Sequence, residues 1–300
     1  MTELIGWLLE DGNPAVRYRT QTEILHQAGD KESVKNWIFA HVPANWHQAK
    51  GLWYRYYITA FAECGLTRED LPYETLEEAF AALEKGFECG CGDFLLAAAL
   101  VKLGFGAHKT VRGVIDACGG STLPDGGYLC LHRLRKLPYT PKSCYKANLH
   151  ALLFFAACRR RGVDAGDARP LAAYFLERNL FYKSADPRAL VLQARAGWRT
   201  IDPFYPFEVM RVGVQNVVAA FCALGYGDHP RLREARRMLD ACKDGAGRVI
   251  LKGTLTKSYL PKERVGAPSK WATFYAVLAE RLCMEAPPKR YGADALERKT

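Results

Sequence analysis

No stretch of this chain approaches the roughly 18 charge-free apolar residues that a membrane-spanning helix needs. The best candidate, Ala151 to Cys158, stops at Arg159, Arg160 and Arg161. The N-terminus lacks the apolar core of a secretory signal, because Glu3 and Glu10 fall within its first ten residues. No run alternates in the manner of a strand, and no linker rich in Pro, Gly or Ser divides the 300 residues. Disorder is excluded as well, since 49% of the residues are apolar and 25% charged. What remains is a single all-α domain over residues 1–300, expected to be soluble and cytoplasmic, with a polar tail at 285–300.

The ten cysteines are too few, in an unexported chain of this length, to form the disulfide framework of a small secreted domain. Reduced thiols are expected. Cys64, Cys158, Cys222 and Cys283 lie in apolar helical company and read as small core residues. The 42 Lys and Arg against 32 Asp and Glu leave a net charge of +10, compatible with an anionic partner.

An internal repeat organises the chain. Leu103-Gly104-Phe105-Gly106-Ala107-His108 returns as Leu224-Gly225-Tyr226-Gly227-Asp228-His229, an offset of 121 residues. Each copy follows an apolar helical run, Phe94 to Leu103 or Val214 to Leu224. Each precedes an amphipathic run ending in Asp-Ala-Cys, at Cys118 or Cys242, and then a glycine-rich turn, Asp125-Gly126-Gly127 or Asp244 to Gly247. A degenerate copy lies between them, with helices at about Lys146 to Arg161 and Pro170 to Asn179, broken by Gly162. The unit is an apolar helix, a glycine stop, a one-sided helix and a glycine-rich loop. The first helix is apolar nearly all round and so is expected to be buried. In Arg231 to Cys242 the apolar Leu232, Ala235, Met238, Leu239 and Cys242 keep helical spacing, leaving Arg233 and Arg237 for solvent. Further helices are predicted from Asn13-Pro14 to Leu25 and over Lys31–Phe39, Trp53–Cys64, Tyr73–Gly86 and Ser269–Met284.

Alternating buried and outer helices with a DGG-aromatic turn resemble the prenyltransferase and squalene-cyclase repeat. The closer resemblance is to a bacterial squalene cyclase-like branch. Its patterns have counterparts at Leu8–Tyr18, Cys89–Gly92, Asp125–Cys130, Lys142–Lys146, Phe207–Val212 and Ser269–Tyr275. The resemblance implies an α/α toroid of about five to six helix pairs. It implies no class II cyclisation, because the Asp-x-Asp-Asp acid of those enzymes is absent. Lys142 and Lys146 stand where that branch carries two histidines, and Cys144 where it carries a serine.

In a toroid the inner helices run parallel, and their N-termini gather at one mouth of a central cavity. That places the candidate residues at the helix starts. Asp93, Glu208 and Arg211 are the candidates for chemistry; Trp53, Tyr54, Lys142, Tyr145, Tyr205, Lys270 and Trp271 are those for substrate binding. Cys89, Cys91, Cys130 and Cys144 fall on adjacent helix starts and the loop between them. Soft thiolates of this number are what zinc takes, and protein prenyltransferases, which share the toroid, hold zinc at similar helix starts. The opposing reading is that glycine-flanked cysteines fit tight turns and that Cys144 packs. Asp93 before Phe-Leu-Leu also suits a plain helix cap, Asp125 a turn, and Glu208 an internal salt bridge with Arg211.

Two functions follow. One is a prenyltransferase-like protein that takes an apolar or isoprenoid-type small molecule into the cavity, as a metal-assisted transferase or with a nucleophilic cysteine and no metal. The other is a non-catalytic helical-repeat protein for a peptide or anionic partner. Nucleic acid is not the expected partner, since the runs Arg159–Arg161 and Arg231–Arg237 read as solvated exterior.

Overall fold

The computed structural model describes residues 2–130, 142–192, 195, 197–206, 211–254 and 260–285. Among them are twelve α-helices and one short hairpin. The helices are α1 (Thr2–Leu9), α2 (Pro14–Arg19), α3 (Lys31–His41), α4 (Leu52–Glu63), α5 (Glu77–Gly86), α6 (Cys91–Lys102), α7 (Lys109–Ser121), α8 (Tyr145–Arg160), α9 (Arg169–Leu176), α10 (Val214–Ala223), α11 (Leu232–Asp240) and α12 (Lys270–Glu285). No helix among the described residues is long and apolar enough to cross a membrane.

Local chemistry sets these boundaries. Asn13 accepts a hydrogen bond from Val16 N at 3.1 Å, and Pro14, which has no N–H to lose, opens α2. A π-helical stretch, Thr20–Ile24, continues it. Four buried helices stop in the same way, at Gly65, Gly104, Gly162 and Gly225, each with positive φ (87°, 98°, 65° and 81°). The residue after each glycine donates its N–H five residues back: Leu66 to Phe61, Phe105 to Leu100, Val163 to Cys158 and Tyr226 to Phe221. This is the double-bonded glycine cap that satisfies the last carbonyls.

The glycine-rich loops have steric reasons. A Cβ on Gly126 (φ 81°) would lie 2.2 Å from Pro170 O, and one on Gly127 would lie 2.3 Å from Asn148 Nδ2. Asp125 accepts from Gly127 N at 3.2 Å and from the Ser143 hydroxyl at 2.7 Å. Asn148, fully buried on α8, then accepts from Tyr128 N at 2.7 Å. Gln215 of α10 does the equivalent work on Phe204, and Thr273 of α12 on Val249. In each case a buried polar side chain near a helix start satisfies the backbone of the loop that leads into it.

The buried helices form a series. α6 packs between α4 and α8, α10 packs between α8 and α12, and α12 packs on α1, α2 and the π-helical stretch. Neighbours run parallel. Arg55 and Asp93 pair at 3.0 Å where α4 and α6 begin, while Glu63 and Lys102 pair where they end. Arg161, just past α8, donates to Lys102 O at 2.6 Å. The remaining helices pack by one face. On α11, Leu232, Ala235 and Leu239 are buried while Arg233 and Arg237 are exposed, as their spacing predicts.

Three expectations need correction. Tyr182–Lys183 (β1) and Asp186–Leu190 (β2) form an antiparallel hairpin where no strand was expected; it is largely exposed, so no buried face imposes an alternating pattern. Arg211, expected at a helix start, precedes α10, which begins at Val214 with Gly213 in extended backbone as its N-cap (φ −77°, ψ 156°). Cys222 and Cys283, expected as separate reduced thiols, are joined as a disulfide between α10 and α12. Residues 207–210, with Glu208, and the 286–300 tail lie outside the described residues.

Candidate functional site

A cavity of about 370 Å³ lies in the middle of the helix series, lined by α2, α4, α6, α8, α10 and Tyr275 of α12. Its shape follows from the repeat. Counted back from the glycine stops, the sixth residue is Thr59, Ala98, Ala156 or Ala219, and all four line the cavity. The fifth residue adds Ala99, Ala157 and Ala220. These positions share one helix face with the second residue before the stop, since i and i+4 lie above one another. Alanine ends at Cβ, so three adjacent helices turn their shortest apolar side chains toward the same space. A leucine there would fill it.

The second residues before the stops are Glu63, Lys102, Arg160 and Ala223. They make one end of the cavity charged. Arg19 of α2, 3% exposed, donates to Glu63 O at 3.0 Å, to Glu63 Oε2 at 3.2 Å and to Glu23 Oε2 at 3.0 Å. Glu63 also accepts from Lys102 and from the Tyr275 hydroxyl, and Arg160 pairs with Glu23. Arg19 further lies over the Phe274 ring at 4.5 Å.

Burial alone would raise the Glu63 carboxyl, but Lys102 and Arg19 outweigh it and hold the group below its ordinary value. Glu23 is held well below the carboxylate range in the same way by Arg19 and Arg160. Burial lowers the Lys102 ammonium and the Arg161 guanidinium, in spite of Glu63 and Glu23 respectively. Among the described residues, five cations (Arg19, Lys102, Arg160, Arg161 and Arg211) and two carboxylates (Glu23 and Glu63) line the cavity. The arrangement is an apolar chamber with surplus positive charge at one end.

Of the residues singled out in the sequence, Arg211 lines this cavity, its guanidinium over the Trp198 and Phe204 rings. None of the other described candidates lines it. Asp93, 2% exposed, accepts from Glu88 N at 3.1 Å and Gly90 N at 3.0 Å through Oδ2, which holds the turn into α6, and from Arg55 of α4 at 3.0 Å through Oδ1. Tyr54 donates to Thr75 O, Tyr145 to Leu180 O and Tyr205 to Pro261 O; all three are buried, as is Trp271. Trp53 is 38% exposed and meets Tyr56 edge-on. Lys142 is exposed. Lys270 donates to Glu10 O at 2.9 Å and holds the end of α1.

Cys144 and burial together push the Cys91 thiol well above its ordinary value, and Cys130 raises Cys91 and Cys89 further. Burial pushes the Cys89 thiol up to about 11. Among the described residues, no three His, Cys, Asp or Glu side chains are arranged to hold a metal ion.

Among known proteins, no family model, no curated protein and no solved structure matches the chain.

Arg19, Glu63 and Lys102 were missed in the sequence, yet a signal was present. Alanine pairs recur five and six residues before Gly104, Gly162 and Gly225, and charged residues sit two before three of the four stops.

Proposed function

We propose that the chain is an α/α toroid, built like the prenyltransferase and squalene-cyclase repeat, whose central cavity holds a small molecule with an apolar body and an anionic group. The observation that carries this reading is the alanine-walled cavity with five cations against two carboxylates at its lining. Its volume falls in the range of about 300–1,000 Å³ typical of small-ligand sites. The return of α12 onto α1 and α2 supports a closed ring. Alanines at Ala98, Ala156 and Ala219 receive the apolar part. Lys102 and Arg161, whose cationic forms burial disfavours, gain most from an anion brought beside them.

Titration calorimetry with dodecyl phosphate, dodecanoate and dodecanol tests this. The two anions should bind at least about tenfold more tightly than the alcohol, a difference of about 1.4 kcal/mol. Ala157→Phe should fill the chamber and abolish binding while circular dichroism shows the helices intact. Equal binding by a well-folded Ala157→Phe would overturn the reading.

A further inference from the structure

We propose that the central cavity has a second polar end, toward the starts of its helices, and that its ligand is an apolar chain carrying a carboxylate at each end. This deepens the ligand-binding reading and rests on it.

Because the buried helices run parallel, counting back from their glycine stops sorts the lining residues into layers. The second residues before the stops form the charged end, and the fifth and sixth form the alanine wall. The ninth are Leu95, Leu153 and Asn216, and all three line the cavity. Asn216 thus puts an amide where α6 and α8 put leucine. His150, twelve residues before Gly162, lines the cavity beyond this layer, on the same stripe of α8 as Leu153, Ala157 and Arg160. Arg211 joins this end from the segment that precedes α10. Ten residues of α8 separate His150 from Arg160, so the two ends lie about 15 Å apart along the helix axis.

Asn216 is 7% exposed and His150 2%. An amide set in an apolar wall is costly unless its donors are met. Gln215, fully buried, gives one Nε2 hydrogen to Phe204 O at 2.6 Å and the other to Asn216 Oδ1 at 2.8 Å. The Asn216 amide is therefore fixed by its oxygen. Among the described residues no acceptor meets its Nδ2. That nitrogen is a donor held in position for an oxygen that the chain itself does not supply.

The rest of this end points to the same class of group. Arg211 brings a cation, held over the Trp198 and Phe204 rings, and the His150 ring adds a nitrogen able to donate. The carboxylates that line the cavity among the described residues, Glu23 and Glu63, both belong to the opposite end, where Arg19 binds them. Donors and a cation without a carboxylate suit an ionised carboxylate, which only accepts and can take several N–H bonds at once. The alanine wall between the two ends leaves room for the apolar chain that joins them.

The test is titration calorimetry of the full chain with dodecanoate and dodecanedioate at neutral pH. The diacid should bind at least about tenfold more tightly than the monoacid. Asn216→Asp keeps the acceptor for Gln215 but replaces the Nδ2 donors by a like charge. In that variant the diacid should lose its advantage, while the affinity for dodecanoate stays within about twofold of the parent. Equal or weaker binding of the diacid by the unmutated chain overturns the proposal and leaves the single-anion reading standing. So does an Asn216→Asp chain that still prefers the diacid by the parent's factor. Binding of neither acid overturns the single-anion reading and this proposal together. The comparison of the two acids on the unmutated chain decides the matter should the variant fail to fold.

Discussion

Arg19 on α2 and Glu63 at the end of α4 meet at 3.2 Å across 44 positions of sequence, and both are almost fully excluded from water. Each alone would be costly to bury; Glu23, Lys102, Arg160 and Tyr275 join them in one network at one end of the cavity, where the cations outnumber the carboxylates.

Replacing Glu63 by Gln should leave buried Arg19 and half-buried Lys102 with too little opposing charge. A loss of about 3–5 kcal/mol is expected in urea unfolding. A change under about 1 kcal/mol would show that the network is solvated in solution.

The same network sets a pH dependence. The folded chain holds Glu63 and Glu23 below their ordinary value of 4.5. Their contribution is fully present above that value and is lost as pH falls through the lower, folded values. Thermal melts between pH 7 and pH 3 should show stability declining below about pH 5, with a shallower decline in Glu63→Gln. An identical slope in that variant would remove Glu63 from the explanation.

Gly162 tests the helix stops without a steric clash, since a Cβ there meets nothing within 4 Å and only its φ of 65° is strained. Gly162→Ala should cost about 1–2 kcal/mol, and Gly162→Asn, which tolerates this region, clearly less. Equal melting temperatures for the two variants would contradict the cap assignment.

Gly127 tests the loop. A side chain there would lie 2.3 Å from Asn148 Nδ2 and 2.6 Å from Ser143 Oγ, inside the contact that holds Tyr128. Gly127→Ala should destabilise by about 1–3 kcal/mol, the range for overpacking. A double variant with Asn148→Ala should cost less than the two single changes summed.

Asp93→Ala should behave as a lost turn. It removes the acceptor of the Glu88 and Gly90 N–H groups and of Arg55, at about 1–3 kcal/mol for buried donors left unmet. Affinity of the folded variant for dodecyl phosphate should stay within about twofold of the parent, since Asp93 does not line the cavity. A larger drop would return Asp93 to the functional candidates.

Much of the fold was legible in the residues themselves. Asn13-Pro14, the glycine stops and the one-sided spacing of Leu232, Ala235 and Leu239 are local signals, because caps and amphipathic faces act within a few residues. Asp125-Gly126-Gly127 likewise marked a turn from sequence, although its need for two glycines comes from Pro170 and Asn148. Tertiary structure alone decided where the space and charge lie. Alanines at 98, 156 and 219 look like ordinary helix formers until parallel helices turn them toward one axis. Arg19, Glu63 and Tyr275 are brought together over separations of 44 and 212 positions. Tyr54, Tyr145, Tyr205 and Trp271, chosen from sequence, are buried instead, the three tyrosines donating to backbone carbonyls, because large side chains are drawn to whatever core the helices enclose; Trp53 stays partly exposed. A cavity is defined by the side chains that stop short of it, and no local pattern records which neighbours will fail to fill a space.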